Sequence, residues 1–123
     1  MMVDRLKAGG MQRLSRACAY SWRGLKAAWS EERAFREEVV LAALAIPAGC
    51  YLGRTGLERA ALVAPVMLIL IVELLNSSLE AVVDRMSLER DSLAAMAKDM
   101  GSAAVFLSLA GSFVVWVLVL TDR

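Results

Sequence analysis

Histidine is missing from all 123 residues. Its absence excludes His-based catalytic triads, His metal sites and His proton relays together. Only two cysteines occur, Cys18 and Cys50, in different kinds of segment and with no CxxC spacing. They support neither a disulfide framework nor a thiolate metal site. The net charge is only +1, so no global field favours nucleic acid. Neither a Walker A loop nor a protein-kinase glycine loop is present, so any nucleotide chemistry uses another scaffold. The start "MMVDRLKAGG" lacks an apolar h-region, and no cleavable signal peptide is expected.

Apolar residues, in contrast, are abundant. They make up 59% of the chain, against roughly 45–50% in soluble domains. The excess is concentrated in three runs, Val39 to Gly53, Ala60 to Val72 and Gly101 to Leu120. A membrane-spanning helix needs about 20 residues. The third run meets that length alone. The second meets it by continuing through Glu73 to Leu79. The first meets it by starting on the Phe35–Glu38 side, and Pro47 lies within it. The predicted architecture is all-α, with three transmembrane helices over about 35–53, 58–84 and 97–120. One domain, residues 1–123, holds them all.

Charge placement orients these spans. Eleven Lys and Arg lie in the N-terminal region and the loop around Asp84–Asp99, and three (Arg54, Arg59, Arg123) on the opposite side. The positive-inside rule places the N-terminus and second loop in the cytoplasm, and "RTGLER" (54–59) becomes the outer turn. Before the first span, Leu14, Cys18, Trp22, Leu25 and Trp29 recur at spacings of 4, 4, 3 and 4 within about 11–29. Arg13, Arg16, Arg23 and Lys26 lie beside or opposite that stripe. Such a helix fits the membrane interface.

The second span carries an unusual polar face. In "VELLNSSLEAVVDR" (72–85), spacings of 3, 4 and 4 put Glu73, Asn76, Glu80 and Asp84 on one side of a helix, with Ser77. A carboxylate in a span costs several kcal/mol unless it is hydrated, paired or protonated, and is a functional candidate by default. Glu73 has no Lys or Arg one turn away. Asp84 and Arg85 fit a solvated helix end as well as a functional role. A second acidic group, "SEERAFREE" (30–38), reads mostly as solvated surface. One of its members could join Glu80 around Mg²⁺, which takes a couple of carboxylates plus phosphate oxygens; spacing does not select which. In "AKDMGSAA" (97–104), Lys98 fits a phosphate ligand or a positive-inside anchor. Ala104, Ser108 and Ser112, with Gly111 alongside, form a small-residue stripe suited to helix packing. Trp116 fits an aromatic belt.

Together "AYSWRGLKAAW", "EERAFREE", "VELLNSSLEAVVDR" and "AKDMGSAA" resemble the prokaryotic integral-membrane diacylglycerol kinase family, from about Arg13 to Trp116. The resemblance implies a homotrimer of three-span subunits in the bacterial inner membrane, each with an N-terminal interfacial helix and sites shared between subunits. It implies transfer of the γ-phosphoryl of MgATP to the hydroxyl of diacylglycerol, giving phosphatidic acid. By the same resemblance Glu73 is the general base, and Glu32 and Glu80 hold Mg²⁺ with the nucleotide. Arg13, Tyr20, Glu89, Lys98 and Asp99 match further ATP contacts. Ser21, Trp22, Ala34, Phe35, Arg36, Tyr51, Ser102 and Trp116, together with Arg13 and Glu73, match lipid-substrate positions. Asn76 matches a position beside the base, and Asp84 is read from its place on the same face as a supporting residue, structural or catalytic. Two departures stand out. Arg90 and Asp91 follow Glu89 where the family often has an aromatic–His pair, and Tyr51 stands where Trp is common.

Two alternatives stay open from the residues. One is an undecaprenol kinase of the same family. The other is a small proton-coupled transporter with Glu73 as its coupling site, although "AALVAPVM" and "FVVWVLVL" place few polar groups in the outer halves.

Overall fold

A computed structural model describes residues 9–86 and 92–123. They fall into two compact units, one ending at Arg33 and the other starting at Ala34. The described residues form four helices: α1 (Gly10–Glu31), α2 (Arg33–Leu52), α3 (Gly56–Met86) and α4 (Ser92–Thr121).

α1 belongs to the first unit. Its first turn closes with Arg13 N–H donating to the Gly9 carbonyl at 3.0 Å. The apolar stripe Leu14, Trp22, Leu25 and Trp29 is exposed. The helix ends at Glu32, which is extended at φ −115° and ψ 107° while its N–H still donates to the Ala28 carbonyl. That one non-helical residue separates α1 from α2.

In the second unit, α3 and α4 form the most extensive helix pair. At 1.5 Å per residue their 31 and 30 residues are each about 45 Å long, and both are long and apolar enough to cross a membrane. The buried residues of α3 are Leu62, Val66, Ile69 and Glu73. Their spacing of 4, 3 and 4 makes one stripe, in which Glu73 takes the place of a fourth apolar residue. On α2 the buried residues are Phe35, Ala42 and Gly49, seven apart. Large apolar side chains such as Phe106, Leu107, Phe113 and Leu118 on α4 are exposed. A continuous apolar exterior of this kind suits lipid or another membrane chain.

The connection from α2 to α3 is short, which makes the two helices antiparallel neighbours. Thr55 Oγ1 accepts the Glu58 N–H at 3.1 Å, an N-cap at the start of α3. Gly53 is required by close approach: a Cβ there would stand 2.8 Å from the Arg59 backbone nitrogen. Arg123 reaches back to this turn. Its guanidinium donates to Glu58 Oε1 at 3.0 Å and to the Leu52 carbonyl oxygen.

Near the same end, Trp116 Nε1 donates to the Leu62 carbonyl at 2.9 Å. Its ring also packs on α2, with Cζ2 3.5 Å from where a Gly49 Cβ would stand. Trp116 thus ties α4 to α3 and α2, a more specific role than an aromatic belt. Replacing it by Phe keeps a ring but removes the donor. Trp116→Phe is expected to destabilise the protein by about 1 kcal/mol. The change is measurable as an earlier unfolding midpoint in mixed micelles; an unchanged midpoint would show that the bond contributes nothing. The small-residue stripe of α4 is only partly used within the chain. Ser112 is buried, but Ala104 and Gly111 are exposed and nothing lies within 4 Å of a Cβ built at Gly111.

Candidate active site

The polar residues of α3 begin where its apolar stripe stops. Glu73 is 5% exposed. Asn76 and Glu80 are half-buried, and Asp84 is exposed. The burial of this face therefore decreases steadily toward the end of the helix, over about 16 Å between Glu73 and Asp84.

α4 covers the face through Gly101 and Lys98. A Cβ at Gly101 would collide with Asn76 Oδ1 and stand 3.2 Å from Leu79 Cδ2. A side chain here would have to displace the Asn76 amide from its present position. The approach shields Asn76 Oδ1, which is buried and has no hydrogen-bond partner among the described residues. One level further along, Lys98 Nζ meets Asp84 Oδ1 at 2.5 Å. Glu80 lies on the same face between these two contacts. Asp99 and Ser102 are exposed beside them.

α2 adds a residue that the sequence reading left among solvated acids. Glu38 is half-buried, and its enclosed Oε2 has no hydrogen-bond partner among the described residues. It shares a helical face with Phe35 and Ala42. The seven-residue spacing Phe35, Ala42, Gly49 was the signal that could have found it. Gly101 was missed too, because its need for close approach depends on a neighbouring helix.

The remaining candidates are distributed as follows. Phe35 is buried, Arg36 half-buried and Ala34 exposed, all at the start of α2. Tyr51 is exposed at the other end of that helix. In the first unit, Arg13, Tyr20, Ser21 and Trp22 are exposed on α1. The Arg23 guanidinium stands 5.5 Å from the Tyr20 ring centroid, within cation–π range. Ser21 Oγ donates to the Ala17 carbonyl at 2.8 Å. Glu32 is half-buried at the end of α1. Glu89 lies outside the described residues.

An apolar groove of about 710 Å³ runs between α2, α3 and α4. Its lining includes Leu44, Val66, Ile69, Phe113 and Trp116. Ile69, one of its lining residues, is one helical turn from Glu73. No cluster of three acidic or Cys side chains able to hold a metal occurs among the described residues. The available oxygens instead suit the Mg²⁺ of a nucleotide, for which one or two carboxylates suffice when phosphates supply the rest.

A family model described as prokaryotic diacylglycerol kinase matches residues 19–120. The chain is 46% identical over 111 residues to the diacylglycerol kinase of Escherichia coli strain K12, covering 90% of this chain and 91% of that protein. It is 48% identical to the diacylglycerol kinase of Pseudomonas aeruginosa, covering 90% of each. Identity to the Helicobacter pylori strain 26695 diacylglycerol kinase is 46% over 110 residues, covering 89% of this chain and 86% of that one.

Proposed function

The chain belongs to the prokaryotic diacylglycerol kinase family, and from that membership we propose how its residues divide the work of an ATP-dependent lipid kinase. The activity is transfer of the γ-phosphoryl of ATP to the hydroxyl of diacylglycerol in a bacterial membrane. Burial of Glu73 at the junction of an apolar stripe and a polar face is the observation that carries the assignment of roles. A lipid hydroxyl can reach that junction from the apolar side, and a phosphate from the polar side.

Glu73 acts as general base. It takes the proton as the lipid oxygen bonds to the γ-phosphorus and the bond to the ADP oxygen breaks. The apolar groove lined by Ile69 suits the lipid's apolar portion. Glu80, with Glu32, holds Mg²⁺, which when bound neutralises charge on the phosphates. Lys98 and Arg13 offset the remaining phosphate charge, and Asp84 holds Lys98 within reach of this face. Tyr20, Glu89 and Asp99 complete the nucleotide contacts. Ser21, Trp22, Ala34, Phe35, Arg36, Tyr51, Ser102 and Trp116 surround the lipid.

In the membrane, α2, α3 and α4 are the three spans, with the N-terminus and the α3–α4 connection cytoplasmic. α1 lies in the interface with its exposed apolar stripe toward lipid. Three subunits assemble and share sites; the exposed apolar faces of α4 and the open Gly111 and Ala104 positions support such contacts.

Substrate choice tests this reading. Purified protein given equal amounts of diacylglycerol and undecaprenol with MgATP is expected to form phosphatidic acid in large excess. Predominant undecaprenyl phosphate would move the chain to the other substrate class.

A further inference from the structure

Gly101 has no part in the reaction just described, yet it stands against a residue at its centre. Asn76 follows Glu73 by three residues and precedes Glu80 by four, on the same face of α3. With the lipid oxygen at Glu73 and the metal at Glu80, the phosphoryl group in transit is at the level of Asn76. From α4, a Cβ at Gly101 would overlap Asn76 Oδ1 and stand 3.2 Å from Asn76 Cγ. The glycine hydrogen that takes the place of Cβ is therefore aimed at that oxygen. Oδ1 is buried and accepts no hydrogen bond among the described residues. A Cα–H beside a carbonyl oxygen is a weak but favourable contact, whereas an amide –NH2 in its place would meet only another hydrogen. The oxygen of Asn76 is thus kept against α4, and the –NH2 is the end left for a ligand. Phosphoryl oxygens accept hydrogen bonds, so a donor suits them and a carbonyl oxygen would repel them.

We propose that Gly101 is a positioning residue for phosphoryl transfer. Its bare Cα lets the Asn76 carboxamide keep its oxygen against α4 and offer its –NH2 to the transferred group. The inference rests on the reading of Glu73 as base and Glu80 as metal ligand, which sets where that group passes. A side chain at position 101 leaves the amide two options. It turns about its last torsion, which is broad and weakly preferred, or it moves off the face. Either displaces the donor, and a misplacement of about 1 Å can cost about 100-fold in rate. The three atoms nearest to the added Cβ all belong to side chains, of Asn76 and Leu79. The helix that carries Lys98 and Asp99 therefore has no need to shift. The effect should appear in kcat and leave ATP affinity alone.

Gly101→Ala adds that Cβ and nothing else. With the full-length protein in diacylglycerol mixed micelles, it is expected to lower kcat by about 10- to 100-fold, with KM for ATP within about twofold of the parent. The unfolding midpoint should not fall, because alanine favours helix over glycine and the displaced atoms are side-chain ends. Asn76→Ala removes the atoms that the Cβ would meet. It should itself lower kcat, and Gly101→Ala in that background should add less than about a twofold further loss, because the amide it displaces is gone. Parent-like kcat in Gly101→Ala or in Asn76→Ala would overturn the proposal. So would a loss expressed as a raised KM for ATP, a loss that accompanies a lowered unfolding midpoint, or losses that multiply in the double variant. Parent-like activity of Glu73→Gln would instead overturn the base assignment, whatever Gly101 does.

Discussion

Glu73→Gln is expected to lower kcat for diacylglycerol phosphorylation by about 100- to 10,000-fold, the range for removing a positioned general base. The substitution is close to isosteric. The side chain is 5% exposed and continues the stripe of Leu62, Val66 and Ile69, so a neutral amide can occupy the same space. Removing a charge from a span is not itself destabilising. Loss of activity would therefore report on proton transfer and not on folding. KM for ATP should remain within about twofold, since an interaction made only in the transition state lowers kcat and kcat/KM together. A matching change at Asp84 should be far milder. That residue is exposed and reaches the phosphate region only through Lys98.

Glu80→Ala is expected to change the metal demand more than the chemistry at saturation. Mg²⁺ bound with ATP needs few protein ligands, so deleting one of two carboxylates removes much of the protein's hold. The Mg²⁺ concentration for half-maximal activity should rise at least about tenfold, the lower end of what perturbed metal shells cost. Part of the lost rate should return at high Mg²⁺, whereas no amount of metal should rescue Glu73→Gln. Glu80 lies between the Gly101 approach and the Lys98–Asp84 pair on a half-buried face, and neither neighbouring contact depends on it. A Mg²⁺ titration superimposable on the parent's would remove Glu80 from the metal site.

Much of this arrangement was legible before any coordinates. Helical spacing put Glu73, Asn76, Glu80 and Asp84 on one face, because a helix converts sequence separation into direction almost without tertiary input. Burial was harder. Glu38 stood among Glu31, Glu32 and Glu37, and local composition read it as solvent-facing; only its register with Phe35, Ala42 and Gly49 distinguished it. Gly101 carried no signal of its own, since its lack of a side chain matters only once Asn76 stands opposite. Trp116 illustrates the same limit. An indole near a helix end fits a membrane belt by position, yet its N–H is directed to the Leu62 carbonyl, fifty-four residues away. The family resemblance supplied the reaction, which spacing could not, and the match over residues 19–120 agrees with it. The assignment to Glu89 lies outside the described residues.

The central claim is that the buried carboxyl of Glu73 accepts the lipid hydroxyl's proton during phosphoryl transfer. Single-turnover quench-flow, with ATP labelled at its γ-phosphate, saturating Mg²⁺ and diacylglycerol micelles, measures that step directly. The predicted result is rapid labelling of phosphatidic acid by the parent and a transfer constant at least about 100-fold smaller for Glu73→Gln, at equal ATP affinity. Equal transfer constants, or a loss wholly explained by weaker ATP binding, would contradict it.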